Sequence, residues 1–301
     1  MRMSEAIREF GFDCKIRKLS LKTIDNYNKQ LKYLQRYLES EFDVKDLEAV
    51  RSIHIKEFLS MKDDQGCKPQ YINDLLKVFK TFFTYMQKEG YIKERPTANI
   101  KNMKQPKVRI LTFSSAEIRR LLNYYDGKSF LDIRNKTMIA LFFDTGMRLS
   151  EVITMEESQI HEDYILVHGK GAKERVVPVS PYLAKLLMHY QAAREYFFEG
   201  IKLSAPYFFL SRSGKKLTPE AVTKFLKKAA ADVGVNENIR VSPHTLRHTF
   251  AHMQLKNGLD LYSLSRLMGH ENVMVTQRYL AGIQDKEVLE AAMKTGVLAN
   301  L

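Results

Sequence analysis

Tyr164-Ile165-Leu166-Val167-His168-Gly169-Lys170-Gly171-Ala172-Lys173-Glu174-Arg175-Val176-Val177-Pro178-Val179 is the stretch where the chain changes period. Tyr164 to Val167 and Arg175 to Val179 are runs rich in β-branched residues, and the segment between them carries two glycines and two lysines. Two such runs around a short glycine-containing turn predict a β-hairpin with a basic tip. Elsewhere the apolar residues fall at steps of three and four, the helical period. The expectation is a mainly α protein with one small antiparallel sheet.

Upstream, Ser20 is a good N-cap for a helix with Leu21, Ile24, Tyr27, Leu31, Leu34 and Leu38 on one face. A shorter helical pattern spans Ser52 to Met61, and Gly66 breaks the chain. A second long pattern runs through Tyr71, Ile72, Leu75, Leu76, Val78, Phe79, Phe82, Phe83 and Met86 and stops near Gly90. Residues 1–95 therefore read as a small helical domain. Residues 96–110 hold Pro96 and Pro106, show no periodicity, and carry Lys101, Lys104, Lys107 and Arg109 with no acidic residue among those four, so they read as a basic linker.

A second domain, 111–301, opens with Ser114 and Glu117 spaced as a capping box ahead of Ile118, Leu121 and Leu122. Ile133 to Met155 reads as buried helix interrupted at Thr145-Gly146-Met147. After the hairpin, helices return: Thr218-Pro219 and Ser242-Pro243 are N-cap and first-turn proline pairs, while Gly258 and Gly269 sit where helices stop.

Composition bounds the function. The 301 residues carry 48 Lys and Arg against 35 Asp and Glu, a formal charge of +13. Residues 1–110 hold 23 of those cations and only 15 of the acids, which suits a polyanion partner, although a solvated basic surface has the same composition. With 45% hydrophobic and 28% charged residues, wholesale disorder is excluded. The longest apolar run, Met138 to Phe143, falls far short of the roughly 20 residues of a membrane span. The first residues lack the apolar core of a signal peptide. Cys14 and Cys67 make no disulfide framework or cysteine zinc motif, so a cytoplasmic protein is the expectation.

No GxxxxGK[ST] loop, no GxGxxG after a strand and no HExxH motif is present. His244, His248 and His252 lie four apart, but no carboxylate joins them at ligand spacing, so packing or phosphate contact is the better reading. What the second domain does carry is a series of cations and imidazoles: Arg148 after the 145–147 break, Lys170 in the hairpin tip, His244 and Arg247 at one helix start, His270 after Gly269, then Tyr279. Helix N-termini favour anions, and two guanidiniums can clamp the non-bridging oxygens of a phosphate. A phenol, with a free pKa of about 10, needs such an electropositive cage to act as a nucleophile.

Together, Thr145-Gly146-Met147-Arg148-Leu149-Ser150-Glu151, His244-Thr245-Leu246-Arg247-His248, Leu267-Met268-Gly269-His270 and Tyr279 resemble the boxes of the tyrosine recombinase, or phage integrase, family. The two long helical patterns resemble its core-binding, SAM-like domain, and residues 168–178 resemble the hairpin of Xer-type members. The resemblance spans nearly the whole chain and points to Xer-type enzymes and compact mobile-element integrases. It implies a core-binding domain followed by a catalytic domain. Arg148 and Arg247 would bind the scissile phosphate, and Tyr279 would attack it to leave a 3′-phosphotyrosyl link and a free 5′-hydroxyl. Lys170 would protonate the leaving oxygen, with Lys173 as its rival and a backbone contact otherwise. His244 would assist proton transfer, His270 would hydrogen-bond the phosphate, and Glu151 and His248 would support Arg148 and the active-site helix.

The family resemblance further implies a double-stranded DNA partner and a tetramer on two DNA sites, exchanging strands through a Holliday junction in integration, excision or dimer resolution. It leaves open a partner recombinase or accessory protein. Because each broken bond is conserved as a phosphotyrosine, neither ATP nor a metal cofactor is expected. The two domains would close on the duplex as a clamp. The tail, residues 285–301, would dock on a neighbouring subunit through Val288, Leu289, Ala292 and Met293, although closing its own domain suits it equally. Departures are small: Met155 stands where leucine is usual, and His252 follows Ala251 where a small polar residue is usual. No further N-terminal domain is expected. A type IB topoisomerase shares the chemistry, but the hairpin and helical first domain argue against it. A binding module without catalysis is opposed by the complete residue set.

Overall fold

The computed structural model describes residues 1–105, 111–169, 174–203, 205–270 and 272–277. The chain forms two compact units, Met1–Lys107 and Val108–Leu301.

The first unit is helical: α1 (Met3–Ile16), α2 (Leu21–Phe42), α3 (Ser52–Asp64) and α4 (Pro69–Lys88). Ser20 caps α2 by accepting from the Thr23 N–H, and Gly66 and Gly90 take positive φ just past α3 and α4. Ile24, Leu31, Leu34 and Leu38 of α2 meet Leu75, Phe79, Phe82 and Phe83 of α4 in one core, joined by Met3, Ile7 and Phe10 of α1. Ile100 is buried against the same core. Asn73 of α4 then fixes the chain that follows: its Nδ2 donates to the Met103 carbonyl at 3.0 Å and its Oδ1 accepts the Met103 N–H at 2.8 Å.

The second unit begins with α5 (Ser115–Tyr124), α6 (Phe130–Thr145) and α7 (Leu149–Ile153), then the strands β1 (Tyr164–His168) and β2 (Glu174–Pro178). It continues with α8 (Pro181–Phe197), α9 (Pro219–Asp232), α10 (Pro243–Lys256), α11 (Leu261–Leu267) and the short α12 (Met274–Gln277). Ser114 and Glu117 form the expected reciprocal cap of α5, and Glu117 Oε1 also accepts the N–H of Asn236 at 2.9 Å. Helix α6 is buried on every side, from Ile133 through Phe142, and packs on α8 and α10. A helix covered on nearly every side belongs at the centre of a core, and its buried Arg134 and Asn135 hydrogen-bond each other there.

Strands β1 and β2 pair antiparallel, with Ile165 opposite Val177 and Val167 opposite Arg175. Ile165, Val167 and Val177 enter the core, while Val176 faces out. Mainly α with a small antiparallel sheet is the fold observed. Among the described residues no helix is long and apolar enough to cross a membrane.

Candidate active site

Two helix ends organise the site. Helix α6 closes at Gly146, which has φ +59°, and α11 closes at Gly269, with φ +61°. A helix C-terminus leaves carbonyls without intrahelical donors and carries negative partial charge, so it attracts cations. Gly146 is required twice over, because a Cβ there would lie 2.2 Å from the Phe250 ring of α10.

Arg247, on the second turn of α10, is buried. It donates from Nη1 to the Gly146 carbonyl at 2.6 Å and from Nη2 to the Met268 carbonyl at 2.5 Å. Arg148, two residues past Gly146, donates from Nη2 to the next carbonyl, that of Gly269, at 3.0 Å. Its Nη1 reaches Glu151 Oε1 at 3.0 Å and its N–H reaches Oε2 at 2.7 Å. The Arg148 side chain keeps 36% of its surface exposed, so this cation is still open to a ligand.

His270 completes the cluster. Its Nε2 lies 3.1 Å from Arg247 Nη2, and its Nδ1 lies 2.8 Å from the Thr276 hydroxyl. His244, on the first turn of α10, is exposed, and Ser242 caps that turn by accepting the Thr245 N–H. The structure thus brings Arg148, Arg247 and His270 together at the two helix ends. Lys170 and Tyr279 lie outside the described residues, as do Lys173 and the tail.

Arg175 was not singled out by the sequence reading. From β2 it donates to both oxygens of Glu151, Nη1 to Oε1 at 2.9 Å and Nη2 to Oε2 at 2.7 Å, and from Nε to the Leu267 carbonyl at 2.7 Å. The signal was present: Arg175 and Val177 share a strand face by the period of two, so an arginine was aimed inward and needed a buried acceptor. Burial alone pushes the Glu151 carboxyl up, but the hydrogen bonds and charge of Arg175, with those from Arg148, outweigh it and hold the group below the usual carboxylate range.

Chemically, the cluster offers two guanidiniums oriented by main-chain carbonyls, with an imidazole beside them, in a form suited to the non-bridging oxygens of a phosphate. Among the described residues no group of three or more His, Cys, Asp or Glu converges as metal ligands would.

Comparison with known proteins bears on the family and the fold. A family model described as the Phage integrase family matches residues 110–285, and one described as Phage integrase, N-terminal SAM-like domain matches residues 14–90. The chain is 29% identical over 280 residues to tyrosine recombinase XerD of Listeria monocytogenes, covering 92% of this chain and 94% of that protein. It is 31% identical over 261 residues to tyrosine recombinase XerC of Bacillus licheniformis, covering 85% and 84%. In fold it is similar to the XerH site-specific recombinase in a post-cleavage complex with palindromic difH substrate, with TM-score 0.76, 22% identity and coverage of 92% and 81%. The Tn1549 transposon integrase in complex with transposon right end DNA is also similar in fold, with TM-score 0.78, 15% identity and coverage of 99% and 100%. With its catalytic-domain match spanning more than half its length, the chain belongs to the phage integrase family, the tyrosine recombinases.

Proposed function

We propose that the protein is a site-specific recombinase that cuts and rejoins double-stranded DNA through Tyr279, with Arg148, Lys170, His244, Arg247 and His270 as its other catalytic residues. In the cleavage step Tyr279 Oη forms a bond to the scissile phosphorus, and the bond from phosphorus to the 5′ oxygen breaks. The tyrosine proton leaves with help from His244, and Lys170 supplies a proton to the departing oxygen. Arg148 and Arg247 neutralise the charge on the non-bridging oxygens as the five-coordinate state forms, and His270 hydrogen-bonds the same phosphate. Rejoining is the reverse: an incoming 5′-hydroxyl attacks the phosphotyrosine, and no bond energy is lost between the two steps.

Residues 1–95 serve as the core-binding domain, 96–110 as a basic linker and 111–301 as the catalytic domain, with the tail docking on a neighbouring subunit. Four subunits on two DNA sites exchange one strand pair and then the other through a Holliday junction, in the cytoplasm. The observation that carries this reading is the convergence of Arg148, Arg247 and His270 on two adjoining helix ends. The relatives' names and DNA complexes support it.

The test is covalent trapping. Random duplexes bearing a nick that lets a short 5′-hydroxyl fragment diffuse away are incubated with the protein and run under denaturing conditions, without metal or ATP. Wild type should hold DNA and Tyr279→Phe should not, and sequencing the trapped strands gives the site. Retention of DNA in a native gel by both proteins, with no adduct from either, would overturn the reading.

A further inference from the structure

We infer that Arg175 is a positioning residue for strand cleavage: by binding and neutralising Glu151, it leaves the positive charge of Arg148 available to the scissile phosphate. This rests on the function proposed above. Four donors converge on one buried carboxylate. Glu151 Oε1 accepts from Arg148 Nη1 and Arg175 Nη1, and Oε2 accepts from the Arg148 N–H and Arg175 Nη2. The Arg175 contact is the two-pronged one, made by a side chain only 10% exposed, whereas Arg148 gives Glu151 a single guanidinium prong and stays 36% exposed.

Charge decides what this arrangement does. Arg148, Glu151 and Arg175 together carry one net positive charge. Without Arg175 the same carboxylate would be balanced by Arg148 alone, and the group would be neutral. In a partly buried setting that lost charge is felt by any anion bound to Arg148. A carboxylate stripped of its bidentate partner would also draw Arg148 into the vacated geometry, away from the open side.

Position adds a second route to the same end. Arg175 Nε holds the Leu267 carbonyl, and the next two carbonyls, of Met268 and Gly269, hold Arg247 and Arg148. A Cβ on Gly269 would sit 3.0 Å from the Arg175 side chain, so the guanidinium packs directly under that helix end. The strand carrying Arg175 is therefore fastened to the helix end whose next two carbonyls help orient the candidate phosphate-binding arginines.

The experiment compares cleavage rates on three versions of the duplex recovered by trapping: the natural phosphodiester, a methylphosphonate at the scissile position, and a 5′-bridging phosphorothiolate. The methylphosphonate lacks one anionic oxygen and so depends less on cationic charge. The thiolate leaves without needing a proton. Arg175→Ala should cut the phosphodiester roughly tenfold to a hundredfold more slowly, the scale of a weakened electrostatic contact in the transition state. The deficit should shrink to about threefold or less on the methylphosphonate and persist on the phosphorothiolate. Arg175→Ala/Glu151→Gln restores the net charge and should recover most of the rate.

An equal deficit on all three substrates would mean a lost fold or inactive fraction and would overturn the inference. So would a deficit erased by the phosphorothiolate, which would place the effect on the leaving-group proton. Should Arg175→Ala not fold, Arg175→Lys carries the test. It keeps the charge but not the two-pronged contact, so any deficit on the phosphodiester should shrink on the methylphosphonate, and an equal deficit on both would overturn the inference. The two readings fail separately. No Tyr279-dependent adduct from wild type sinks the proposed function, whereas a normal adduct with an unimpaired Arg175→Ala sinks this inference alone.

Discussion

Arg247 Nη2 and His270 Nε2 stand 3.1 Å apart, which sets the imidazole directly beside the buried guanidinium. On its other side His270 Nδ1 lies 2.8 Å from the hydroxyl of Thr276, which is fully buried. Thr276→Val keeps the volume and removes the hydroxyl. Adduct formation should slow by about tenfold, because the ring loses the contact that sets its orientation. The melting temperature should move by only a few degrees. Trapping rates read beside thermal melts check this, and an unchanged rate would show that Thr276 does not orient the ring.

Gly146 should tolerate no side chain. Gly146→Ala combines a left-handed backbone with a Cβ 2.2 Å from the Phe250 ring, and should cost about 2–4 kcal/mol. Gly234→Ala is the control, since its φ is also positive (+65°) but nothing lies within 4 Å of the added atom. That change should cost about 1 kcal/mol. Urea midpoints of the two variants measure the difference, and equal losses would show that Phe250 yields without cost.

Acid should weaken the second unit through Glu151. Its folded pKa is depressed below the unfolded value of about 4.3, so its contribution is present above that value. The contribution is lost as pH falls through the folded pKa. Wild-type stability should therefore hold between about pH 6 and 8 and fall below about pH 4.5. Glu151→Gln should be less stable at neutral pH yet lose less on acidification. Parallel curves for the two proteins from pH 3 to 7 would contradict this.

Glu117 does two jobs at the start of α5, accepting the N–H groups of Ser114 at 2.8 Å and Asn236 at 2.9 Å. Burial works to raise its pKa, but these hydrogen bonds prevail and lower it. Ser114→Ala removes the cap and the hydroxyl's hydrogen bond to Glu117 but leaves the Asn236 contact, and should cost about 1 kcal/mol. Glu117→Ala also strands the Asn236 N–H and should cost about 2–3 kcal/mol. Denaturant titration separates the two, and equal losses would mean the Asn236 contact contributes nothing.

Local signals were the most legible part of the sequence. Ser20, Ser114 with Glu117, Thr218-Pro219 and Ser242-Pro243 each announce a helix start, because a cap needs only residues near it in the chain. Helix α1 was not singled out, although Met3, Ala6, Ile7, Phe10 and Cys14 have the right spacing, since Arg2 ahead of it is no conventional cap. In the site, Arg148, Arg247 and His270 were readable as a spaced set. What holds the arginines was not: their acceptors are largely main-chain carbonyls of Gly146, Met268 and Gly269, which every residue type has and no sequence pattern marks. Arg175 escaped because the hairpin drew notice to its lysines, and the partner that explains it, Glu151, lies 24 residues away.

The grip of main-chain carbonyls on the two arginines bears on how this protein could be re-engineered. A library that randomises side chains around the site cannot delete those acceptors, because every substitution carries its own carbonyl along. Selection for new target sequences therefore has wide freedom near the arginines, provided codons 146 and 269 are left as glycine and the Glu151–Arg175 pair is varied only jointly.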